Sequence, residues 1–325
     1  NIGYLNFNGI SFIEVKDFAG YLYPSISKKR TGDNILDPGY KSMSFEMHLF
    51  VPAEANSNSV VCQKISGSNQ GMTLAVSQSA SVTSCSLLFI VSSGSTAISA
   101  SSDIVKGQFN HIVATLDRHP GINDVQLFIN DELQAESDNI AEFGQIGFQT
   151  SSLMIGSGTS HSTIFTPQQV FSGAIDELRV FHAARTTKEQ SLYGKKSIFP
   201  NSDLKLYLKF NEPTGSIGVD SLVIDSSGNS LHSVVNHFSQ SLRATSSIDV
   251  PMLYEKRSMH PVLFPSYFDV QDMNEELLAS ASTYDAANPN LITKLVPEHY
   301  FQEGQIYEGL QSEDGTVIDV YGGAG

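Results

Sequence analysis

Three consecutive segments between residues 111 and 136 alternate apolar and polar residues with a period of two, and this alternation constrains the fold more than any other feature. The apolar residues that share one face are Ile112, Ala114, Leu116, Val125, Leu127 and Ile129. A period of two is that of a β-strand with one buried face. Asn130 and Asp131 follow as a two-residue turn, because both residue types tolerate positive φ. The stretch is predicted to be a three-stranded antiparallel meander.

Short alternating segments of the same kind, separated by Gly, Asn, Ser and Asp, run from the first residues to about residue 180. They are residues 5–15, which we interpret as a hairpin around Asn8-Gly9, and residues 43–50, 71–77, 85–92 and 153–156. Many short strands with turn residues between them are typical of an all-β protein with two packed antiparallel sheets.

Residues 171–190 combine the last of these strands with the beginning of a helix. Residues 175–181 alternate like a strand, and Thr186 or Thr187 then fits the N-cap position of a short helix with Glu189 in its first turn. A final sandwich strand followed by a capped helix is predicted.

The second half of the chain continues the strand pattern and then changes in texture. Residues 203–215 alternate, and residues 223–235 place a Ser-Ser-Gly-Asn turn between two strand-like stretches, which together predict one hairpin-like unit. From about residue 250, prolines and aromatic residues surround two possible short helices, 272–284 and 289–295. The apolar stretch 285–300 fits either a subunit interface or packing against the chain's own sandwich.

The predicted organisation has three parts. Residues 1–198 form the sandwich, residues 199–249 add a strand and hairpin unit, and residues 250–325 form a Pro- and aromatic-rich, partly helical extension for subunit or inter-domain contacts. The chain begins at Asn1 rather than at Met, from which we expect a trimmed piece of a longer polypeptide.

Charge and hydropathy exclude two classes of partner. The 325 residues contain 34 acidic and 19 basic side chains, for a formal net charge of −15. A negative chain is not attracted to nucleic acid or to anionic lipid, and no apolar run reaches the roughly 18 residues of a membrane helix. Neither nucleic-acid binding nor membrane insertion is expected.

The two cysteines, Cys62 and Cys85, both lie in strand-like stretches. They fit either two buried thiols or one disulfide, and the sequence leaves both interpretations open.

Four segments resemble a known family in their order and spacing. They are FNHIVATLD at 109–117, VQLFINDEL at 125–133, LMIG at 153–156 and FSGAIDELRVF at 171–181. They resemble the laminin G-like, concanavalin A-like jelly rolls, over about residues 1–235. Residues 206–232 are similar to the first strands of a second repeat, but no equivalents of HIVATLD or IDELRV follow. Either these strands add to the first sandwich, or the missing part comes from beyond the trimmed end or from another chain.

The resemblance implies a jelly-roll sandwich that binds sugars, proteoglycans or proteins, frequently with calcium, in a family that also contains glucan hydrolases. The same fold occurs on bacterial surface proteins and in bacteriophage tail and fibre proteins. In the hydrolases, acids at every second position of a strand lie on the same strand face. This brings two carboxylates close enough for a retaining mechanism. The nearest match here, Asp176-Glu177, lacks flanking acids, and strand alternation predicts that its two side chains point to opposite faces. We therefore assign no catalytic residue and expect no enzyme activity.

Calcium is an open alternative at two places. Asp176 is interpreted as a strand-end carboxylate that could bind calcium together with loop carbonyls, and Asp225 with Asn229 offers similar oxygens beside a tight turn. The same carboxylates can instead accept hydrogen bonds from nearby backbone amides, so no metal site and no cofactor are assigned. The histidines show no metal-ligand spacing, and His111 is predicted to be an ordinary outward or edge residue of its strand.

Sugar binding usually requires an aromatic ring for stacking. The chain contains no Trp, which disfavours this function, although Tyr and Phe can replace it. The Ser- and Thr-rich segments 92–102 and 157–163 are interpreted as rim loops that could supply polar contacts.

The sequence thus predicts a non-enzymatic structural or interaction module of a larger surface assembly, most simply a bacteriophage tail, baseplate or fibre. Its location would be the virion, and its partners other virion or surface-assembly subunits in many copies. The alternative is a carbohydrate-binding adhesin on a virus or cell surface that recognises host glycan, with calcium as an optional ligand.

Overall fold

The structure is a computed structural model that describes residues 3–18, 22–23, 28–29, 34–77, 81–94, 96–119, 122–137, 143–148, 150–212 and 221–245. The predicted extension from residue 250, with its two short helices, lies outside the described residues.

Eighteen strands, one α-helix and one short 3-10 helix are described. The strands are β1 (Gly3–Asn8), β2 (Phe12–Val15), β3 (Leu22–Tyr23), β4 (Lys28–Lys29), β5 (Met43–Phe50), β6 (Ser59–Ser66), β7 (Gln70–Val76), β8 (Ser84–Ser93), β9 (Thr96–Val105), β10 (Phe109–His119), β11 (Ile122–Ile129), β12 (Glu132–Glu136), β13 (Leu153–Ile155), β14 (Ser172–Phe181), β15 (Leu204–Leu208), β16 (Leu222–Val223), β17 (Ser233–Asn236) and β18 (Arg243–Thr245). The helix α1 covers Thr187–Tyr193, and the 3-10 helix covers Gln240–Leu242.

Sheet A contains the predicted meander. Its strand order is β12-β11-β10-β5-β14-β1-β18. β15 pairs residues 178–181 of β14, and β1 pairs residues 172–175 of the same strand. Asn130 and Asp131 have φ values of 52° and 71°, which is the geometry of a type I′ hairpin turn. The meander and the predicted last strand are both confirmed.

Sheet B has the order β16-β17-β2-β13-β6-β7-β8-β9. Residues 92–93 and 96–102 of the segment interpreted above as a rim loop instead belong to the paired strands β8 and β9. The interpretation was wrong because the many serines suggested a loop, whereas Ile98, Ala100 and Ile104 alternate inward along β9 and are buried.

The core lies between the two sheets and takes the inward-facing residues of both. Phe45 of sheet A meets Phe89 of sheet B edge to face, with ring centroids 6.1 Å apart. Cys62 and Cys85 are free thiols within this core, so the disulfide alternative is excluded.

Residues 5–15 do not form the hairpin that Asn8-Gly9 suggested. β1 pairs β14 and β18 in sheet A, whereas β2 pairs β13 and β17 in sheet B. The turn carries the chain from one sheet to the other: Gly9 has a φ of 84°, and Asn8 Oδ1 accepts hydrogen bonds from the amides of Ile10 and Ser11. Turn chemistry alone does not say whether the flanking strands pair.

The strands after α1 add to the same sandwich, and they do so on both sheets. β15 pairs β14, the β16–β17 pair joins β2, and β18 joins β1. Residues 203–235 therefore do not form one hairpin-like unit. Leu206 and Leu208 pack into the core from sheet A, and Val235 packs into it from sheet B.

The architecture is the predicted all-β antiparallel sandwich of jelly-roll type. Among the residues described, no helix combines the length and the hydropathy needed to cross a membrane.

Candidate functional site

A cluster of charged side chains lies on the outer face of sheet A, beneath α1 and the residues that follow it. Arg179 of β14 is fully buried and donates from Nη1 to Glu46 Oε1 (2.6 Å) and from Nη2 to Glu177 Oε2 (2.7 Å). The carbonyls of Tyr193 and Lys196 accept further bonds from the same guanidinium, at 3.0 and 2.6 Å. One arginine thus joins three elements.

Glu46 is held by two arginines. Arg185 Nε donates to Glu46 Oε2 at 3.0 Å, opposite the contact from Arg179. Burial alone would raise the pKa of Glu46, but the charges of Arg179 and Arg185 and the nearby His111 hold it well below its usual range. Glu46 is therefore a structural anion.

A β-bulge places Asp176 and Glu177 on the same face, which corrects the prediction that they point apart. The register of β14 against β5 shifts between Asp176 and Arg179, and Glu177 has a φ of 52°. Ile175 and Leu178 both enter the core as a result. Glu177 is engaged by Arg179 and by the hydroxyl of Tyr207, and Asp176 is buried opposite His48.

Two stacked histidines complete the cluster. The rings of His48 and His111 lie 4.9 Å apart, and His48 Nε2 is 2.8 Å from the carbonyl oxygen of Gly194. Burial lowers the pKa of His48 to about 3. Burial acts in the same direction on His111, but its hydrogen bond with Asp131 and the carboxylate of Glu46, whose Oε1 lies 3.5 Å from Nε2, outweigh this effect and raise the pKa of His111.

His111 does face outward from its strand, as predicted, yet it is only 4% exposed because the chain after α1 covers it. A Cβ atom at Gly194 would lie 2.5 Å from His111 Cε1, so the covering segment approaches closely only with glycine there. The cluster holds α1 against the sheet, and its acids are bound by groups of the same chain.

The second calcium candidate is also occupied by the protein itself. Asp225 accepts hydrogen bonds from the amides of Tyr207, Ser227 and Leu231 and from the Ser227 hydroxyl, each at 2.9 Å. Asn229 Nδ2 donates to the Lys205 carbonyl at 3.0 Å. Donors aimed at these oxygens disfavour a cation, and no group of three or more His, Cys, Asp or Glu among the described residues could hold a metal ion. The residues do not fit calcium.

The Ser- and Thr-rich segment 157–163 lies across the outer face of sheet B instead of projecting from the rim. His161 is fully buried, with Nδ1 2.7 Å from Thr73 Oγ1 and Nε2 2.6 Å from Ser92 Oγ. Phe165 packs on the same face with Val60 and other apolar residues of the sheet. Burial lowers the pKa of His161 to about 4. Segment 157–163 therefore covers part of the outer face of sheet B.

An exposed aromatic residue lies at one rim, and the sequence analysis missed it. Tyr40 is 71% exposed, and its ring lies over the guanidinium of Arg118 at 5.6 Å. Arg118 in turn donates to the carbonyls of Gly39, Phe143 and Gly144. The signal that could have revealed it is Pro38-Gly39, a turn that precedes the tyrosine directly.

Comparison with known proteins identifies the fold. Residues 31–189 match the model of the concanavalin A-like lectin/glucanases superfamily. No curated protein sequence matches the chain.

The solved structures to which the chain is similar are distant in sequence. A Bacteroides ovatus protein described as a "putative carbohydrate binding protein" has 16% identity and a TM-score of 0.52, over 77% of this chain and 61% of that one. Domains LG4-5 of the mouse laminin alpha1 chain have 12% identity and a TM-score of 0.38, over 55% and 42%. Tailspike protein 2 of Escherichia coli O157:H7 bacteriophage CAB120 has 14% identity and a TM-score of 0.39, over 63% and 29%.

The chain thus spans about three-fifths of the first of these structures. At such identities the similarity concerns the fold alone. The two-sheet sandwich and the family model agree: residues 31–189, just under half of the chain, are similar to the concanavalin A-like lectin/glucanases superfamily.

Proposed function

We propose that this chain is a non-enzymatic binding module of a larger surface assembly, and specifically a tail, baseplate or fibre component of a bacteriophage virion. The observation that carries this proposal is the covering of part of each outer sheet face by the chain's own segments. Residues 182–198 cover part of sheet A and residues 157–170 part of sheet B, with buried polar contacts in each case. Contacts with other molecules are then left to the rims, the sheet edges and the exposed strand faces such as the outward side of β9.

The absence of catalysis is part of the same proposal. Glycoside hydrolysis requires one carboxyl group to donate a proton and a second to attack or to activate water. Glu46 and Glu177 are both bound to Arg179, and both are at least 95% buried. These carboxylates support the fold and are not placed to meet a substrate.

The sandwich is proposed to extend through residue 249, with residues 250–325 as the part that docks on neighbouring subunits. The added strands β15–β18 support this division, because they pair with β14, β2 and β1. The extension's proline and aromatic content suits an interface more than a separate core.

The assembly role is tested by locating the protein. Antibodies raised against the purified chain are applied with gold label to particles concentrated from a culture of the source. Label at one end of tailed particles is the expected result. Protein confined to the fraction free of particles would contradict the proposal.

The non-enzymatic role is tested separately, by following the release of reducing ends from a panel of glucans. No release is expected. Release that disappears in Glu177→Gln, and persists in the exposed control Glu132→Gln, would show a hydrolase.

Carbohydrate binding on a virus or cell surface is the second candidate function. The specific observation in its favour is Tyr40, whose ring is open to solvent on a fixed support. The Bacteroides ovatus protein of the same fold is described as a candidate carbohydrate-binding protein, which agrees with this function.

A further inference from the structure

A lysine and an aspartate are completely buried inside the sandwich, at one end of its core. Lys64 of β6 follows the core residue Cys62 by two positions, and Asp17 follows Val15 of β2 by two positions. Two positions along a strand return to the same face, so both charged side chains point inward. Neither side chain has any exposed surface. The short strand β13 pairs β2 on one side and β6 on the other, and Lys64 and Asp17 meet across it.

The two charged groups are in direct contact in apolar surroundings. Lys64 Nζ lies 2.6 Å from Asp17 Oδ1 and also donates to the Ser151 carbonyl at 2.7 Å. The centre of the fully buried Phe148 ring lies 4.9 Å from Nζ. Lysine is almost never fully buried, and an ion pair withdrawn from water often costs more free energy than its attraction returns. A reaction that removes both charges would remove this cost.

The carboxyl group of Asp17 is held in a way that favours attack on its carbon. Its Oδ2 accepts a hydrogen bond from the Leu36 amide at 2.8 Å. A donor on that oxygen stabilises the negative charge that develops there when an amine adds to the carbon. Because Cγ lies one bond beyond Oδ1, a small movement of the lysine side chain brings Nζ within the roughly 3–3.5 Å at which attack begins.

A third carboxyl group lies beside this pair. Asp37 Oδ1 is 3.7 Å from Lys64 Nζ, and this buried oxygen accepts no hydrogen bond from the residues that the structure describes. Asp37 Oδ2 accepts from the Phe148 amide at 2.9 Å and from Asn34 Nδ2 at 3.2 Å, which fixes the group and leaves Oδ1 available to the amine. Burial raises the pKa of Asp37, and the charge of Asp17 acts in the same direction. The Phe148 hydrogen bond and the Lys64 charge oppose this rise without cancelling it. Asp37 is therefore suited to take up a proton and return it.

We propose that Lys64 and Asp17 condense to an isopeptide bond, an amide between two side chains, with Asp37 as the proton carrier. Nζ bonds to Cγ, and the bond from Cγ to Oδ1 breaks. Of the three protons of the ammonium group, one stays on the amide nitrogen and two leave with Oδ1 as water. Asp37 Oδ1 accepts one of these two protons from Nζ and delivers it to the departing oxygen. The step balances without an oxidant, a reductant or any other co-reactant.

The surroundings already provide hydrogen-bond partners for the product. The Leu36 amide would donate to the new amide oxygen, and the Ser151 carbonyl would accept from the new N–H. The bond joins residues 47 positions apart and ties the chain after β2 to β6 by a link that reducing agents do not break. Each chain reacts once, so the modification is compatible with a non-enzymatic module and does not depend on the proposed function.

The mass of the intact, denatured full chain tests the bond. Wild type should be lighter by one water than its sequence requires. Lys64→Met and Asp17→Ala should each have the full mass of their own sequences, and the exposed control Asp103→Asn should lose water like wild type. In denaturing electrophoresis wild type should migrate ahead of Lys64→Met, because a covalent loop keeps the unfolded chain more compact.

A tryptic digest identifies the linked residues. Trypsin cuts after Lys and Arg, but not after a lysine whose amine is bonded. The expected product therefore joins residues 17–28 to residues 42–106, with no cut at Lys64. Closure of Asp314-Gly315 to a succinimide would lose the same water, yet it would leave these two peptides separate.

Asp37→Asn tests the proton carrier, since it keeps both reacting groups and can still accept from the Phe148 amide. In samples taken at intervals after cell-free synthesis, water loss should be slowed about a hundredfold relative to wild type. Asp103→Asn should react at the wild-type rate. Equal rates in Asp37→Asn and wild type would overturn the role of Asp37.

Wild type alone can overturn the bond, whether or not Lys64→Met folds. It would do so if it unfolds cooperatively in urea yet keeps its full mass after prolonged incubation, or if it loses water without yielding the joined peptide. The result is separable from the virion assignment, because gold label on particles depends on assembly and not on the mass of the chain.

Discussion

Arg179 is the side chain through which the charges on the outer face of sheet A are balanced. It is fully buried and contacts Glu46, Glu177 and two backbone carbonyls. Charges withdrawn from water are stable only when their partners are present, and removing one partner leaves the others uncompensated. The energetic role of Arg179 is therefore larger than that of any surface pair.

Replacing Arg179 with Met should destabilise the protein by about 3–5 kcal/mol, because Glu177 then has no charged partner and Glu46 keeps only Arg185, while both acids stay buried. The free energy of unfolding measured in urea at pH 7 reports the loss. Lys188→Met, which removes an exposed charge, should change it by less than about 0.5 kcal/mol.

The pH dependence of the unfolding free energy of Arg179→Met shows whether lost charge pairing causes its instability. Paired Glu46 has a lowered pKa and so stabilises the fold above its unfolded pKa of about 4.3, a contribution lost as pH falls through the folded value. Without Arg179 the pKa of Glu46 should rise, and protonation of Glu46 should then remove the free-energy cost of its buried charge. The difference in unfolding free energy between wild type and Arg179→Met should thus be smaller at pH 5 than at pH 7. An equal deficit at both pH values would point to lost packing instead.

Single residues also show where sequence reasoning stops. The alternation around Ile175 correctly indicated a strand, but the bulge after Asp176 requires Glu177 at a φ of 52°, and no alternation pattern announces it. His111 was rightly placed on the outward face, yet its burial depends on Gly194, 83 positions away in the chain. Tyr40 was not singled out, because its support, Arg118, comes from a distant strand.

Among the elements, α1 is the clearest case of local sequence and tertiary structure agreeing. Thr186, one of the two residues considered, is its N-cap: Thr186 Oγ1 accepts from the Glu189 amide (3.3 Å), and Glu189 Oε2 accepts from the Thr186 amide (2.9 Å). This reciprocal pair is a capping box. A helix of seven residues is too short to persist alone, so the cap and the contacts with sheet A act together.

Thr186→Ala should cost about 1 kcal/mol at the helix N-terminus. Amide hydrogen exchange within α1 should become roughly fivefold faster, since 1.4 kcal/mol corresponds to tenfold. Thr187→Ala, one residue further on and also exposed, removes no cap and is the control. Equal acceleration in both variants would mean that the capping box does not limit helix opening.

Strand existence was predictable for the meander and for β5, β7, β8 and β14, because their inward residues alternate over many positions. Sheet membership was not, since it depends on pairing between distant segments. β1 and β2 follow one another in the chain but lie in different sheets. The assignment of β9 failed for another reason: its outward side is Ser-rich, and an exposed strand face resembles a loop in composition.

At the scale of the molecule, neutral buried histidines tie stability to pH. The pKa values of His48, His161 and His182 are lowered to about 3, 4 and 4, chiefly by burial. Below the unfolded value of about 6.5 the unfolded chain takes up protons that the folded chain does not, so each histidine reduces stability as pH falls towards its folded pKa. His111 acts otherwise, because its raised pKa stabilises fully below about 6.5 and less above it.

His161→Gln isolates one of these contributions. Its stability deficit relative to wild type should shrink as pH falls from 7 to 5, by up to about 1.4 kcal/mol per pH unit below 6.5. His119, which is 64% exposed on its side chain, serves as the control, and His119→Gln should run parallel to wild type. Parallel curves for His161→Gln would show that its protonation is not linked to unfolding.

Two shortened chains test the proposed extent of the sandwich. The chain 1–249 keeps all the pairings described here and should unfold cooperatively in urea, as a single sandwich does. The chain 1–198 loses β15–β18, which leaves Leu178 and Val180 of β14 without their neighbouring strand. It should be insoluble or aggregate, because an apolar strand edge pairs with other copies. A soluble, cooperatively folded 1–198 would place the boundary at residue 198.

The pairing of β1 with β18 has a mechanical consequence. Gly3 lies opposite Thr245, and β18 is the outermost strand of sheet A. Tension applied through the chain at these two positions would act across the end of that strand pair and separate its hydrogen bonds one after another, as a zipper opens. Force would peel β18 from the edge before any load reached the interior, so the sandwich would yield there by a small, reversible step while its core stayed closed.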